Sequence, residues 1–343
     1  MNKQIIEMPK VVLHLHLDGS LRPETVKEWI EELLGKEAKL EDVKKMLMVE
    51  KDCRDLNEYL EKFDLPVKVL QSAEHLDRAT YELYEDLSKQ NVKYAEVRFA
   101  PSLHTKGGLS YNEIVEATVN GMERAKEKFD IDGSLILCCM RGKDNKKANM
   151  ETVKIAKEYL GKGVSAIDLA GAEALFKTAD YEDIFRAAER NGIPFTIHAG
   201  EADGPQSIID ALKFEAKRIG HGVRCVERPE LVKYLSIHRV PLEICPISEL
   251  QTQATKGDIP IELLYRCGIP VTINPDNDTV SNTSILDEHQ WVLDNTDLTV
   301  EDLIQMNINA AKNIFAPEKK REEVKAKIEA YRNRKKEGPS IDD

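Results

Sequence analysis

The chain has no apolar run long enough to span a membrane, which argues against an integral membrane protein. No apolar segment follows the basic Lys3, so no secretory signal is expected. Cysteine is scarce: there are six, and none forms a CxxC pair. Cys138, Cys139 and Cys245 sit in apolar, strand-like runs, the pattern of buried reduced thiols in a cytoplasmic protein. A nucleophilic Cys138 or Cys139 is the alternative. Positive charge is short as well, with 49 Lys and Arg against 61 Asp and Glu, a net of -12. A surface of that sign repels a phosphate backbone, which sets nucleic acid aside and favours a neutral or cationic small molecule. The phosphate loop GxxxxGK[ST] is absent. Gly220-His221-Gly222 begins like a dinucleotide fingerprint, but Cys225 stands where the third glycine belongs. No linker, internal repeat or low-complexity tract divides residues 1–343, so one domain is expected. With 41% apolar and 32% charged residues, the length suits a single large barrel.

What the chain does have is alternation. An apolar, β-branched run around Val11-Val12-Leu13 is followed by strand patterns at 92–100, 133–140, 164–170, 194–199, 218–223, 240–245 and 270–274. Helical patterns fall between and after them, at 111–129, 149–160, 181–191, 206–215, 229–236, 261–266 and 284–293. Eight strands, each trailed by a helix, predict an α/β fold closed as a TIM (β/α)8 barrel. An open doubly wound sheet fits a count of eight less well. A helical insertion of about 21–90 follows strand 1, opening at Pro23 and Glu24. Extra helices follow at 300–315 and 318–335, the last with mixed charges on a solvated face. Within the insertion, Leu56, Tyr59, Leu60 and Phe63 fall at i, i+3, i+4 and i+7 on one face. Such a stripe packs into the core or covers a site as a lid.

In a TIM barrel the site lies at the C-terminal ends of the strands. Strand 1 ends in His14-Leu15-His16-Leu17-Asp18-Gly19-Ser20, and strand geometry aims His14, His16 and Asp18 to one side. Strand 4 ends in Asp168-Leu169-Ala170-Gly171 and strand 5 in His198-Ala199-Gly200-Glu201. Strand 6 ends in Gly220-His221-Gly222 and strand 8 in Asn274-Pro275-Asp276-Asn277. His14, His16, His198 and Asp276 are a donor set for a catalytic zinc, which turns water into a nucleophile at neutral pH. Glu201 is placed to move a proton, and His221 to ligate or to orient the attacking water. The bland readings are a helix-start carboxylate for Glu201 and a hydrogen-bonded core histidine for His221. Strand 4 carries no lysine, the usual bridge of two-metal barrel hydrolases, so one metal is expected.

HLHLDGS at 14–20, EVRFAP at 96–101, IDLAGAE at 167–173, HAGE at 198–201, RIGHGV at 218–223, CPIS at 245–248 and TINPDN at 272–277 together resemble the adenosine deaminases. These are single-zinc members of the amidohydrolase superfamily, and the likeness runs from about 9 to 315. It implies one Zn2+ per subunit on His14, His16, His198 and Asp276, with Asp276 also counted among the catalytic groups. It implies Glu201 as the acid that protonates purine N1 and His221 as the group that orients the attacking hydroxide. On the substrate side it implies His16, Asp18 at the ribose, Gly171 at purine N3 and Asn277 at N7. Leu56, Tyr59, Leu60 and Phe63 match the family's apolar gate.

The activity implied is hydrolysis of adenosine and 2′-deoxyadenosine to inosine and 2′-deoxyinosine plus ammonia. The partner is then a purine nucleoside, with no nucleic acid and no membrane. Three departures stand out: Asn277 where many relatives have Asp, Ala172 where an acid is common, and Pro275 before Asp276. An Asn amide donates to N7 without needing a proton first, so that change is compatible with a purine. Rival expectations are an adenine deaminase, whose relatives usually carry Glu where Asp18 stands, a deaminase of a modified adenosine, and a non-catalytic nucleoside binder. The H-x-E with P-C-x-x-C signature of the other zinc deaminase fold is missing.

Overall fold

Eight buried, β-branched-rich segments form the strands: β1 (Lys10–His16), β2 (Val92–Phe99), β3 (Asp132–Met140), β4 (Val164–Ala170), β5 (Thr196–Ala199), β6 (Arg218–His221), β7 (Leu242–Ile244) and β8 (Val271–Ile273). They come from a computed structural model that describes residues 1–50, 53–255 and 257–337. The strands pair in parallel in the orders β1-β2-β3-β4 and β5-β6-β7-β8. Two further parallel bridges, Ile167 with Phe195 and Leu15 with Asp276, join the two sheets at both seams. At the second seam His16 N–H donates to Asp276 O at 2.8 Å and Asp276 N–H to His14 O at 3.1 Å. The eight strands thus close into the expected (β/α)8 ring, and the last bond brings the two ends of the barrel sequence together at the site.

The helices form where local chemistry directs them. Ser110 and Glu113 make a reciprocal capping box at the start of Tyr111–Lys128, and Thr299 and Asp302 do the same for Val300–Lys312. The insertion after β1 opens with Pro23 at the first position of Pro23–Leu34. Its stripe Leu56–Phe63 is not one helix. Asp55 caps an α-helix over Leu56–Leu60, which tightens to a 3-10 turn over Glu61–Phe63. Leu56 and Tyr59 are buried with Cys53 and Val280 in a small cluster separate from the main core.

Differences from the sequence reading gather at strand ends. β7 is shorter than 240–245, because Pro246 opens a helix over Pro246–Gln251 that the apolar pattern did not reveal. A short N-terminal helix, Lys3–Glu7, capped by Asn2, was also not anticipated. No helix among the described residues is long and apolar enough to cross a membrane.

Candidate active site

β1 delivers His14, which is fully buried, and His16, which is partly exposed at the barrel mouth. β5 brings His198 and β6 brings His221, so the rings of His14 and His198 have centroids 4.5 Å apart and those of His14 and His221 4.8 Å apart. Asp276 follows β8. His14 Nε2 lies 3.1 Å and His16 Nε2 3.5 Å from Asp276 Oδ1, and His16 Nε2 faces His198 Nε2 at 3.1 Å. One donor atom from each of His14, His198, His221 and Asp276 falls within 4.8 Å of the others. Asp276 and His221 hold left-handed backbone, at φ 62° and 59°, in a region that only glycine enters freely. For Asp276 the two seam hydrogen bonds hold that strain in place.

A second ring of charges orients the imidazoles. His14 Nδ1 lies 2.9 Å from Glu243 Oε2, and His198 Nδ1 lies 2.8 Å from Asp168 Oδ2. Arg98 sits between the two acids, 2.9 Å from Asp168 Oδ2 and 2.9 Å from Glu243 Oε2. The chain continues from Glu243 Oε1 to Arg218 at 2.6 Å and from Arg218 to Glu96 at 2.6 Å. All five side chains are buried. With Glu243 hydrogen-bonded to His14 Nδ1 and Asp168 beside His198 Nδ1, both rings turn Nε2 inward. Two such nitrogens, unprotonated, and a carboxylate oxygen repel one another unless a cation lies among them. His14 Nε2 is buried without any hydrogen-bond partner in the protein. This donor set fits a divalent metal of the nitrogen-and-oxygen-liganded kind.

Glu201 and His221 form the other half. His221 Nε2 lies 3.5 Å from Glu201 Oε2, and its Nδ1 lies 3.2 Å from Glu249 Oε1. Burial opposes charge on His221, but Glu201, Glu249 and Asp276 outweigh it and push its pKa up to about 10. Burial raises the Glu201 carboxyl, with Asp276 adding to the effect and His221 opposing it. Asp18 is pushed up to about 7 by burial, against backbone hydrogen bonds from itself and Gly19. Burial lifts the Cys138 and Cys139 thiols well above their ordinary range, which removes both as thiolate nucleophiles.

Above these groups a cavity of about 290 Å³ opens at the C-terminal ends of the strands. His16, Asp18, Leu56, Tyr59, Leu60, Phe63, Gly171 and Asn277 all line it, together with His198, Glu201, His221 and Asp276. His14 lies beneath it. The structure therefore gathers the whole set of residues singled out from the sequence. Residues 9–331 match the family described as adenosine deaminase. The chain belongs to the adenosine deaminase family. An adenosine deaminase from Haemophilus ducreyi is 43% identical over 311 residues, 88% of this chain and 90% of that one. The apo N6-methyl-AMP deaminase of Arabidopsis thaliana superposes with a TM-score of 0.84 at 27% identity, covering 96% of this chain and 98% of that one. An adenine deaminase from Arthrobacter aurescens shares the fold, with a TM-score of 0.86 at 23% identity over 95% of this chain and 99% of that one. Like its family, the chain is a hydrolytic deaminase acting on C–N bonds; the family is metal-dependent, and the buried His14, His198, His221 and Asp276 form a group that could hold an ion.

Several residues of this adenosine deaminase-family site escaped the sequence reading. Glu243 is a single charge inside an otherwise apolar strand run, and Arg98 shares β2 with Lys93 and Glu96. A buried charge is costly unless paired, so that placement was itself a signal. Ser248, whose hydroxyl donates to Asp276 Oδ2 at 2.6 Å, and Glu249 ride on the unforeseen helix Pro246–Gln251. Glu173 lies inside the motif at 167–173, but nothing local marks its role.

Proposed function

We propose that this chain deaminates adenosine and 2′-deoxyadenosine, adding water at purine C6 and releasing ammonia to leave inosine or 2′-deoxyinosine. The observation that carries this reading is the convergence of the His14, His16, His198 and Asp276 donors at the floor of a cavity with Glu201 on its wall. We assign those four as ligands of one zinc ion. Zinc bound there supplies a hydroxide nucleophile at neutral pH. His221 is set apart from the ligands because the carboxylates facing its two nitrogens, Glu201 and Glu249, both lie outside the donor set. Held by Glu249, it orients the attacking oxygen and stabilises the charge that oxygen carries. Glu201, its carboxyl raised by burial, donates to N1 in its protonated form and makes C6 more electrophilic. Gly171 faces the purine, Asp18 accepts from the ribose, and the stripe Leu56, Tyr59, Leu60 and Phe63 closes over the base to exclude water.

The related N6-methyl-AMP deaminase raises the question of a nucleotide substrate. Among the described residues, Arg141 is the single Lys or Arg lining this cavity. Its guanidinium is already committed to Phe176 O at 2.7 Å, Thr178 Oγ1 at 2.9 Å and His198 O at 2.7 Å. With Asp18 nearby and no Lys or Arg but Arg141 on the lining among the described residues, a 5′-phosphate finds little counter-charge. The site favours an uncharged nucleoside. The deciding experiment follows the purine absorbance band with adenosine, 2′-deoxyadenosine, adenine and AMP, on a preparation of measured zinc content. Turnover of adenine alone, or none of adenosine, would overturn the reading.

A further inference from the structure

Asn277 and Tyr59 are joined in a way that an apolar gate does not require. Tyr59 is 1% exposed, and its hydroxyl accepts from Asn277 Nδ2 at 3.0 Å and lies 2.6 Å from Ser281 Oγ. The oxygen accepts from the amide and shares a further hydrogen bond with Ser281, in which either hydroxyl can donate, so Asn277, Tyr59 and Ser281 form one chain. Ser281 belongs to the same turn as Asn277, since its N–H donates to Asn277 O at 3.0 Å. On the other side of the amide, Gly19 lets Asn277 approach so closely that an added Cβ would sit 1.8 Å from Oδ1. That Oδ1 is buried without a hydrogen-bond partner. The amide is therefore held from both sides, oxygen toward Gly19 and nitrogen toward Tyr59. Its second N–H remains for the cavity that Asn277 lines.

We propose that Tyr59 is a positioning and specificity residue: it sets the Asn277 amide so that a neutral donor, not an acceptor, faces the ligand's ring nitrogen. It does so only while its helix is seated. Leu56 and Tyr59 pack with Val280 in a cluster apart from the barrel core, and Val49 N–H donates to Val280 O at 3.0 Å. Seating the lid and reading the base become one event. This inference rests on the deaminase reading above.

The test compares adenosine with 7-deazaadenosine, in which the ring acceptor is replaced by C–H, using KM for the first and the competitive Ki for the second. Tyr59→Phe frees the amide to turn. KM for adenosine should rise about tenfold, the scale of one lost hydrogen bond, while Ki for the deaza analogue stays put. A lid that merely loosens would weaken both ligands equally, and that result, or no shift in either, overturns the proposal. Metal content and Tm are read on the same samples. Should Tyr59→Phe fold poorly, Ser281→Ala leaves the phenol in place and should shift the same ratio in the same direction by less; an equal shift of both ligands overturns the proposal there too. Wild-type protein that does not turn over adenosine would sink the deaminase reading itself. Normal turnover with an unchanged ratio would sink only the role given to Tyr59.

Discussion

The backbone N–H of Glu201 donates to Glu173 Oε2 at 3.0 Å. Gly200, Ala202 and Asp203 donate their N–H groups to the same carboxylate at 2.7, 2.7 and 3.0 Å, and Ser207 Oγ lies 2.5 Å away. One buried acid thus gathers the turn that carries the proposed proton donor. Glu173→Gln leaves a single acceptor oxygen for these donors. The expected outcome is a fall in kcat of about 10²-fold with zinc content unchanged, because small displacements of a reacting group are that expensive. An unaltered kcat would mean that the turn is held by other contacts.

Glu201 itself links activity to pH. Its protonated form is the donor, and burial raises its carboxyl above the ordinary range. Activity is therefore present below that raised pKa and is lost as pH rises through it. The measurement is kcat/KM against pH, which should decline on the alkaline side. Glu201→Gln should retain zinc and lose about 10²- to 10⁴-fold in kcat. A level alkaline profile, or near-normal turnover by the variant, would remove Glu201 from the role.

Glu243 reaches the metal only through His14. Replacing it with Gln weakens the hold on His14 Nδ1 and leaves Arg98 and Arg218 sharing one fewer acid. Zinc affinity should drop roughly 10- to 100-fold in competition with a chelator. Retention of full affinity would show that His14 is oriented by the strand alone.

Phosphate should be rejected. With Arg141 engaged and Asp18 buried at the cavity wall, AMP is expected to show a kcat/KM roughly 10²-fold or more below adenosine, the penalty of an unpaired buried charge. Comparable values would mean that a cation swings into the cavity.

Acid stability rests on two histidines away from the site. His289 Nδ1 faces Ile285 O at 2.7 Å and its Nε2 faces Asn307 Nδ2 at 3.0 Å, a neutral ring locked at both ends. Burial pushes its pKa down to about 3, and that of His104 down to about 4, from an ordinary 6.5. Below pH 6.5 the unfolded chain takes protons that the folded chain refuses. The contribution of these rings is then complete above 6.5 and falls as pH drops toward those values, by roughly 1 kcal/mol per pH unit for each ring. Buried carboxyls such as Asp18 and Asp278, raised to about 7 and about 8, act in the opposite sense, so the measurement is the difference in urea midpoint between wild type and His289→Gln, which should change between pH 7 and about 4.5 in the variant's favour. A difference that does not change with pH would place the pH dependence elsewhere.

The barrel was legible because each strand and helix announces itself within a few residues. β4 matches its predicted bounds, 164–170, and the helix Ile261–Arg266 matches 261–266. Strand ends were less legible. The apolar run at 240–245 looks like one strand, yet Pro246 takes the chain into a helix that places Ser248 and Glu249 against Asp276 and His221. The break between Leu56–Leu60 and Glu61–Phe63 was hidden because a 3-10 turn keeps nearly the same apolar spacing as an α-helix.

Periodicity and residue type, read along the chain, were enough to decide the strand count, the end of the barrel on which His14, His16, His198, His221 and Asp276 stand, and the sign of the surface. Those features depend on sterics and hydrogen bonding that reach only a few residues. Which nitrogen of His14 keeps its proton, which acid steadies Glu201 and which way the Asn277 amide turns were settled by ring closure. Closure sets His16 against His198 across 182 positions and Asn277 against Tyr59 across 218. Burial and partner geometry come into being only there, and no local pattern encodes them.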